Sequence, residues 1–181
     1  MFNEKPKALL LHGWFSSGST KSFFLHRLGF KVYTPQLNNF SFQRAVDDVN
    51  EIFDRIRPDL IVGISRGGAV AMNIKHQNTP TVLLAPAWKN FGNVSEITNP
   101  KTVVVHSPKD NMVSYNDSVD LINASSYGRL VTAGEDHRLN DLEARTAVEE
   151  AINQLLPQTT TKAAPKPEQR HYLGNFFEEL Y

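Results

Sequence analysis

The chain has 181 residues, 19 of them basic and 19 acidic, and no cysteine. That length suits one domain with a real core, the balanced charge gives no reason to expect nucleic acid or an anionic membrane as a partner, and the missing thiols exclude disulfides, thiolate metal sites and a cysteine nucleophile. No apolar run reaches the roughly 18 residues that cross a bilayer, and Met1 to Lys7 leads into too few apolar residues for a signal-peptide core, so a cytoplasmic protein is expected.

Taken in order, the chain alternates. Ala8 to Leu11 is a short apolar run that predicts a strand buried on both faces. Gly13 to Thr20 is a Gly- and Ser-rich loop, and Lys21 to Leu28 predicts a helix whose Phe23, Phe24 and Leu28 share a buried side, ended by Gly29. Phe30 to Thr34 is the second strand, stopped by Pro35. Ser41 is placed to cap a helix reaching about Arg57, with Phe42, Val46, Val49, Ile52, Phe53 and Ile56 at helical spacing. Strand three is Leu60 to Ile64, followed by a helix to about Gln77; strand four is Thr81 to Leu84. Ala85 to Pro100 is loop, Thr102 to Val105 is strand five, and a helix of about ten residues from Ser114 turns Val119 and Ile122 inward. Gly128 to Thr132 is strand six, and Leu139 to Leu156 is a closing helix with Leu142, Val148, Ile152 and Leu155 on its apolar side. Six strand–helix units in sequence imply an α/β fold with a mostly parallel, doubly wound sheet.

The most informative stretch is Gly63-Ile64-Ser65-Arg66-Gly67-Gly68, between strand three and its helix. A G-x-S-x-G pattern at a sharp strand-to-helix turn forces the serine into a strained backbone and presents its hydroxyl at the sheet edge. Glycines make room for a helix that folds back on the strand at close range. In open parallel sheets ligands bind beyond the carboxyl ends of the strands. Ser65, Asp110 and His137 follow three different strands in that chain order. A serine hydroxyl needs an imidazole to take its proton, and the imidazole needs an acceptor to fix its tautomer; His137 and Asp110 can do this for Ser65. Taken one at a time, Ser65 could simply cap a helix, Asp110 could be a turn residue and His137 could flank the last helix.

His12-Gly13-Trp14, the Ser65 turn, Asp110 with Val113 three residues on, and Gly134-Glu135-Asp136-His137-Arg138 together resemble the serial motifs of the α/β-hydrolase superfamily, closest to small, cap-less bacterial serine esterases. The spacings fit as well, with 45 residues from Ser65 to Asp110 and 27 from Asp110 to His137. The resemblance covers about Lys7 to Leu156. It implies a minimal form of that fold, without the two leading strands of larger members and without a lid domain: six strands in the order 2-1-3-4-5-6 and an open, shallow site. It also implies an oxyanion hole from the backbone N–H groups of Arg66 and Trp14. Trp14, Phe15, Trp88, Phe91 and Met112 lie in strand-end loops and are candidates to line an apolar acyl pocket. His12 is expected to order its own loop, and His26, His76, His106 and His171 receive no catalytic role. No metal or cofactor is called for.

The expected domain spans residues 1–156. Residues 157–170 are mostly Thr, Lys, Ala, Pro and Gln, a linker composition. Residues 171–181 form an aromatic tail suited to docking on the chain's own body or on a protein partner. The sequence therefore supports a serine hydrolase of a small ester or thioester. The alternative is a non-catalytic adaptor of the same fold that binds a partner through its tail.

Overall fold

A computed structural model of the protein describes residues 4–13 and 19–156. The elements are β1 (Lys7–Leu11), α1 (Ser19–Arg27), β2 (Lys31–Tyr33), α2 (Phe42–Ile56), β3 (Leu60–Ile64), α3 (Arg66–Asn73), β4 (Thr81–Leu84), β5 (Thr102–His106), α4 (Tyr115–Ala124), β6 (Arg129–Thr132) and α5 (Leu142–Leu155). The six strands form one sheet in the order β2-β1-β3-β4-β5-β6, every neighbour parallel. Order and direction match the sequence expectation. Between β4 and β5 there is only a 3₁₀ turn, Trp88–Asn90, and no lid.

The continuous apolar runs are explained by two core layers. Ala8, Leu10, Leu60, Val62, Val82, Leu84, Val103 and Val105 pack with Leu25 of α1 and with Ala144, Val148, Ala151 and Ile152 of α5. Alternate residues Leu9, Leu11, Ile61, Leu83 and Val104 pack on the other face with Val46, Val49 and Phe53 of α2, Val70 of α3 and Leu121 of α4. A strand covered on both faces has no polar side, which is why β1, β3, β4 and β5 show none of the alternation of a half-exposed strand.

Local signals set several ends. The Ser41 hydroxyl accepts from the Arg44 N–H at 3.2 Å and caps α2, as expected. Arg57 closes that helix in the left-handed region at φ 46°, its N–H bonded to the Phe53 carbonyl. Elsewhere long-range contacts override periodicity. In α1 the buried positions are Lys21 and Leu25, while Phe23 is 66% exposed. The α3 helix stops at Asn73, four residues earlier than expected; Ile74 turns extended and buries its side chain instead. In α4 the fully buried positions are Ser118 and Leu121, and Val119 and Ile122 are only half-buried. The last helix begins at Leu142 rather than Leu139, with Asp141 as its cap, and Leu142 is 82% exposed rather than on the apolar side. Leu139 is fully buried in the preceding loop at φ 51°, a conformation no helix contains. None of the helices in the described residues is long and apolar enough to cross a membrane. The linker and tail, residues 157–181, lie outside the described residues.

Candidate active site

Ser65 sits between β3 and α3 at φ 53°, ψ −120°. A residue with a Cβ rarely adopts this backbone. It is held there from both sides of the peptide: the Ser65 N–H donates to the Leu84 carbonyl at 2.9 Å, and the Ser65 carbonyl accepts from Gly68, Ala69 and Ala87. The hydroxyl makes no capping bond to α3, so the serine is not serving as a helix cap. Two glycines admit the turn. A methyl at Gly63 would stand 2.8 Å from the Gly67 carbonyl oxygen, and one at Gly67 only 2.2 Å from the Leu11 carbonyl oxygen. The loop after β1 also lies against the serine, since a methyl at Gly13 would stand 3.1 Å from Ser65 Cβ.

Asp110 follows β5 in a tight loop. Its Oδ1 accepts from the N–H groups of Met112 at 2.8 Å and Val113 at 2.9 Å. Its Oδ2 accepts from His137 Nδ1 at 2.6 Å. The carboxylate is fully buried and the His137 side chain is 11% exposed. Burial alone would push the Asp110 carboxyl up; the Val113, His137 and Met112 N–H groups outweigh it and hold the carboxyl below its ordinary range. An ionised Asp110 requires the proton on His137 Nδ1, which leaves Nε2 as the ring's basic atom. The structure thus brings Asp110 and His137 together from loops 27 residues apart.

The same Oδ2 has a second partner that the sequence did not point to. His106, the last residue of β5, directs Nε2 at Asp110 Oδ2 at 3.0 Å and at the Val113 carbonyl at 3.2 Å, while its Nδ1 meets the Ser118 hydroxyl at 2.7 Å. His106 and Ser118 are both fully buried. The available signal was the four-residue spacing to Asp110, which the short turn after the strand folds into contact.

The other candidates are dispersed. Arg66 opens α3, with its guanidinium bonded to the Asn38 carbonyl and set 5.8 Å from the Phe42 ring and 5.6 Å from the Phe91 ring. Phe91 stacks on Phe42 at 6.0 Å, so its ring has packing partners on the α2 side. Trp88 donates its indole N–H to the Asp117 carbonyl at 2.9 Å and packs on the core layer of α2, α3 and α4. Met112 is 72% exposed beside the Asp110 carboxylate. Trp14 and Phe15 lie outside the described residues. His12 Nδ1 bonds to the Gly13 carbonyl at 3.0 Å, within its own loop.

Lys21 on α1 is buried and donates to the Leu139 carbonyl and to Asn140 Oδ1, two and three residues beyond His137. Burial and the Arg145 charge lower its pKa to about 8, against opposing pulls from Asp141 and Asp136.

No protein-family model matches the sequence, and no curated protein matches it. Solved structures do. Mouse alpha/beta hydrolase domain-containing protein 10 superposes with a TM-score of 0.67 at 14% identity, over 87% of this chain and 92% of that one. Est1E from Butyrivibrio proteoclasticus gives 0.67 at 16% identity, over 86% and 88%. An alpha-beta serine hydrolase homologue from Coxiella burnetii gives 0.66 at 16% identity, over 84% and 86%. With the sheet order and the strained turn at Ser65, these likenesses identify the architecture: the chain has the α/β-hydrolase fold.

Proposed function

We propose that the protein is a serine hydrolase that cleaves a small ester or thioester through an acyl-enzyme. The observation that carries this reading is Ser65, held at φ 53° on the edge of the sheet with no capping bond to account for it. The buried Asp110–His137 pair supports it, because that pair is the orienting half of a serine-activating triad. The names of two structural relatives, an alpha/beta hydrolase domain-containing protein and a serine hydrolase homologue, are consistent with it.

In this reading Ser65 Oγ attacks the carbonyl carbon as His137 Nε2 takes its proton. Asp110 stabilises the imidazolium, and the imidazolium then protonates the departing alcohol or thiol. The oxyanion is met by the Arg66 N–H at the start of α3 and, as the resemblance implies, by the Trp14 N–H. The absence of a lid between β4 and β5 favours small or exposed acyl groups over long buried chains. The test is labelling with a fluorophosphonate probe and cleavage of a p-nitrophenyl acetate. Both are expected in the parent and lost in Ser65→Ala; a Ser65→Ala protein that cleaves at the parent rate refutes the assignment.

A further inference from the structure

Asp110 is more heavily held than orienting one imidazole requires. Oδ1 has two backbone donors, and Oδ2 has His137 on one side and His106 on the other. The protonation of His106 follows from its neighbours. Nε2 faces two acceptors, the ionised carboxylate and the Val113 carbonyl, so it carries the hydrogen. Burial opposes a second proton more strongly than Asp110 favours it, and the pKa is pushed below its ordinary value. Nδ1 is then a bare acceptor, and the Ser118 hydroxyl donates to it at 2.7 Å. The result is a buried chain of donors, Ser118 to His106 to Asp110, ending on the oxygen that His137 uses.

We infer that His106 is a positioning residue for the triad acid, acting as a neutral donor that fixes Asp110 Oδ2 toward His137 without cancelling its charge. The charge is the point. An Arg or Lys in the same place would fix the carboxylate as firmly, but its positive charge would oppose the imidazolium that forms on His137. A neutral imidazole locked by Ser118 supplies orientation alone. The activity consequence rests on the hydrolase reading above, whereas the hydrogen-bond consequence does not.

The test compares His106→Phe, which removes the donor while keeping a planar ring, with His106→Gln, whose side-chain amide is also a neutral donor. For the parent and both variants, kcat and KM are measured on p-nitrophenyl acetate, and the downfield proton resonance of His137 Nδ1–H is followed by NMR, assigned by its absence in His137→Ala. His106→Phe is expected to lose about 10- to 100-fold in kcat, the scale of a misplaced catalytic group, at nearly unchanged KM and with a shifted or broadened resonance. His106→Gln is expected to recover most of both. Should His106→Phe fail to fold, Ser118→Ala gives a smaller loss in the same direction, because it removes the bond that holds the ring at Nδ1. Equal losses in both His106 variants that track the folded fraction would overturn the inference, as would a resonance and kcat that match the parent in His106→Phe. If the parent cleaves no ester, the hydrolase reading fails by itself and the resonance alone decides this one.

Discussion

Ser65 offers a direct measurement of what the site costs the fold. Two substitutions remove its hydroxyl, but only one relaxes its backbone. Ser65→Ala keeps a Cβ at φ 53°, ψ −120°, whereas Ser65→Gly occupies a region open to glycine. A residue held in such a region stores about 1–3 kcal/mol. Glycine returns about 0.4–1 kcal/mol of that through the greater freedom of its unfolded chain. Ser65→Gly should therefore be more stable than Ser65→Ala by about 1 kcal/mol, which is about 2–4 °C in Tm for a chain of this size. Urea titration with a common m-value gives the difference, and both proteins should be inactive. A Ser65→Gly protein no more stable than Ser65→Ala would mean the turn is unstrained, and the main argument for a presented nucleophile would fall.

Gly67→Ala forces a methyl to within 2.2 Å of the Leu11 carbonyl oxygen, so α3 must move away from β1. It should cost at least the upper end of the about 1–3 kcal/mol typical of overpacking and, by displacing Ser65, at least about 100-fold in kcat/KM; a Gly67→Ala protein with parental activity would contradict the close approach. On the acid side, His106 is held below its ordinary 6.5 by burial, so the unfolded chain binds its proton first. Its contribution is complete above pH 6.5 and is lost as pH falls through the lowered value, and the urea midpoint should fall less between pH 7 and 5 in His106→Gln than in the parent. On the alkaline side Lys21, lowered from 10.5 to about 8, has the same sign: stability should rise from pH 8 to 10.5 by up to about 3 kcal/mol. That rise should be absent in Lys21→Met; an equal rise in both would remove Lys21 as its source.

The sequence was most legible where a signal is local. Strands β3 and β4, the Ser41 cap and the steric demands of the Ser65 turn depend on neighbours within a few residues, and their bounds agree with the structure. The parallel, doubly wound sheet followed from the alternation of strands and helices, and its order from the resemblance carried by the strand-end motifs. Helix faces were read less well. Lys21 is buried in α1 because its partners are 118 and 119 residues away, and that partnership leaves Phe23 to solvent. The same contacts hold Leu139 at φ 51° and start α5 at Leu142 instead. For His106 the four-residue spacing to Asp110 is a weak signal by itself, because it does not show that the turn closes. Its meaning comes from Ser118, twelve residues on and turned inward by α4.

The bonding of the Ser65 peptide has a consequence for the order in which the molecule comes into being. The partners that hold the turn, Leu84 and Ala87, belong to β4 and the loop after it. The backbone partners of the strained serine have therefore all been made by about Ala87, while Asp110 and His137 still await β5, β6 and the loop before α5. Synthesis runs from the N-terminus at about 5–20 residues per second, which leaves an interval on the order of several seconds. Through it the nascent chain has the residues that bond the Ser65 turn but neither Asp110 nor His137, so the arrangement proposed for hydrolysis is completed last. The hazard in that interval is mechanical. Thr81 to Leu84 is buried throughout in the finished protein, and until β5 arrives it is an open, apolar sheet edge.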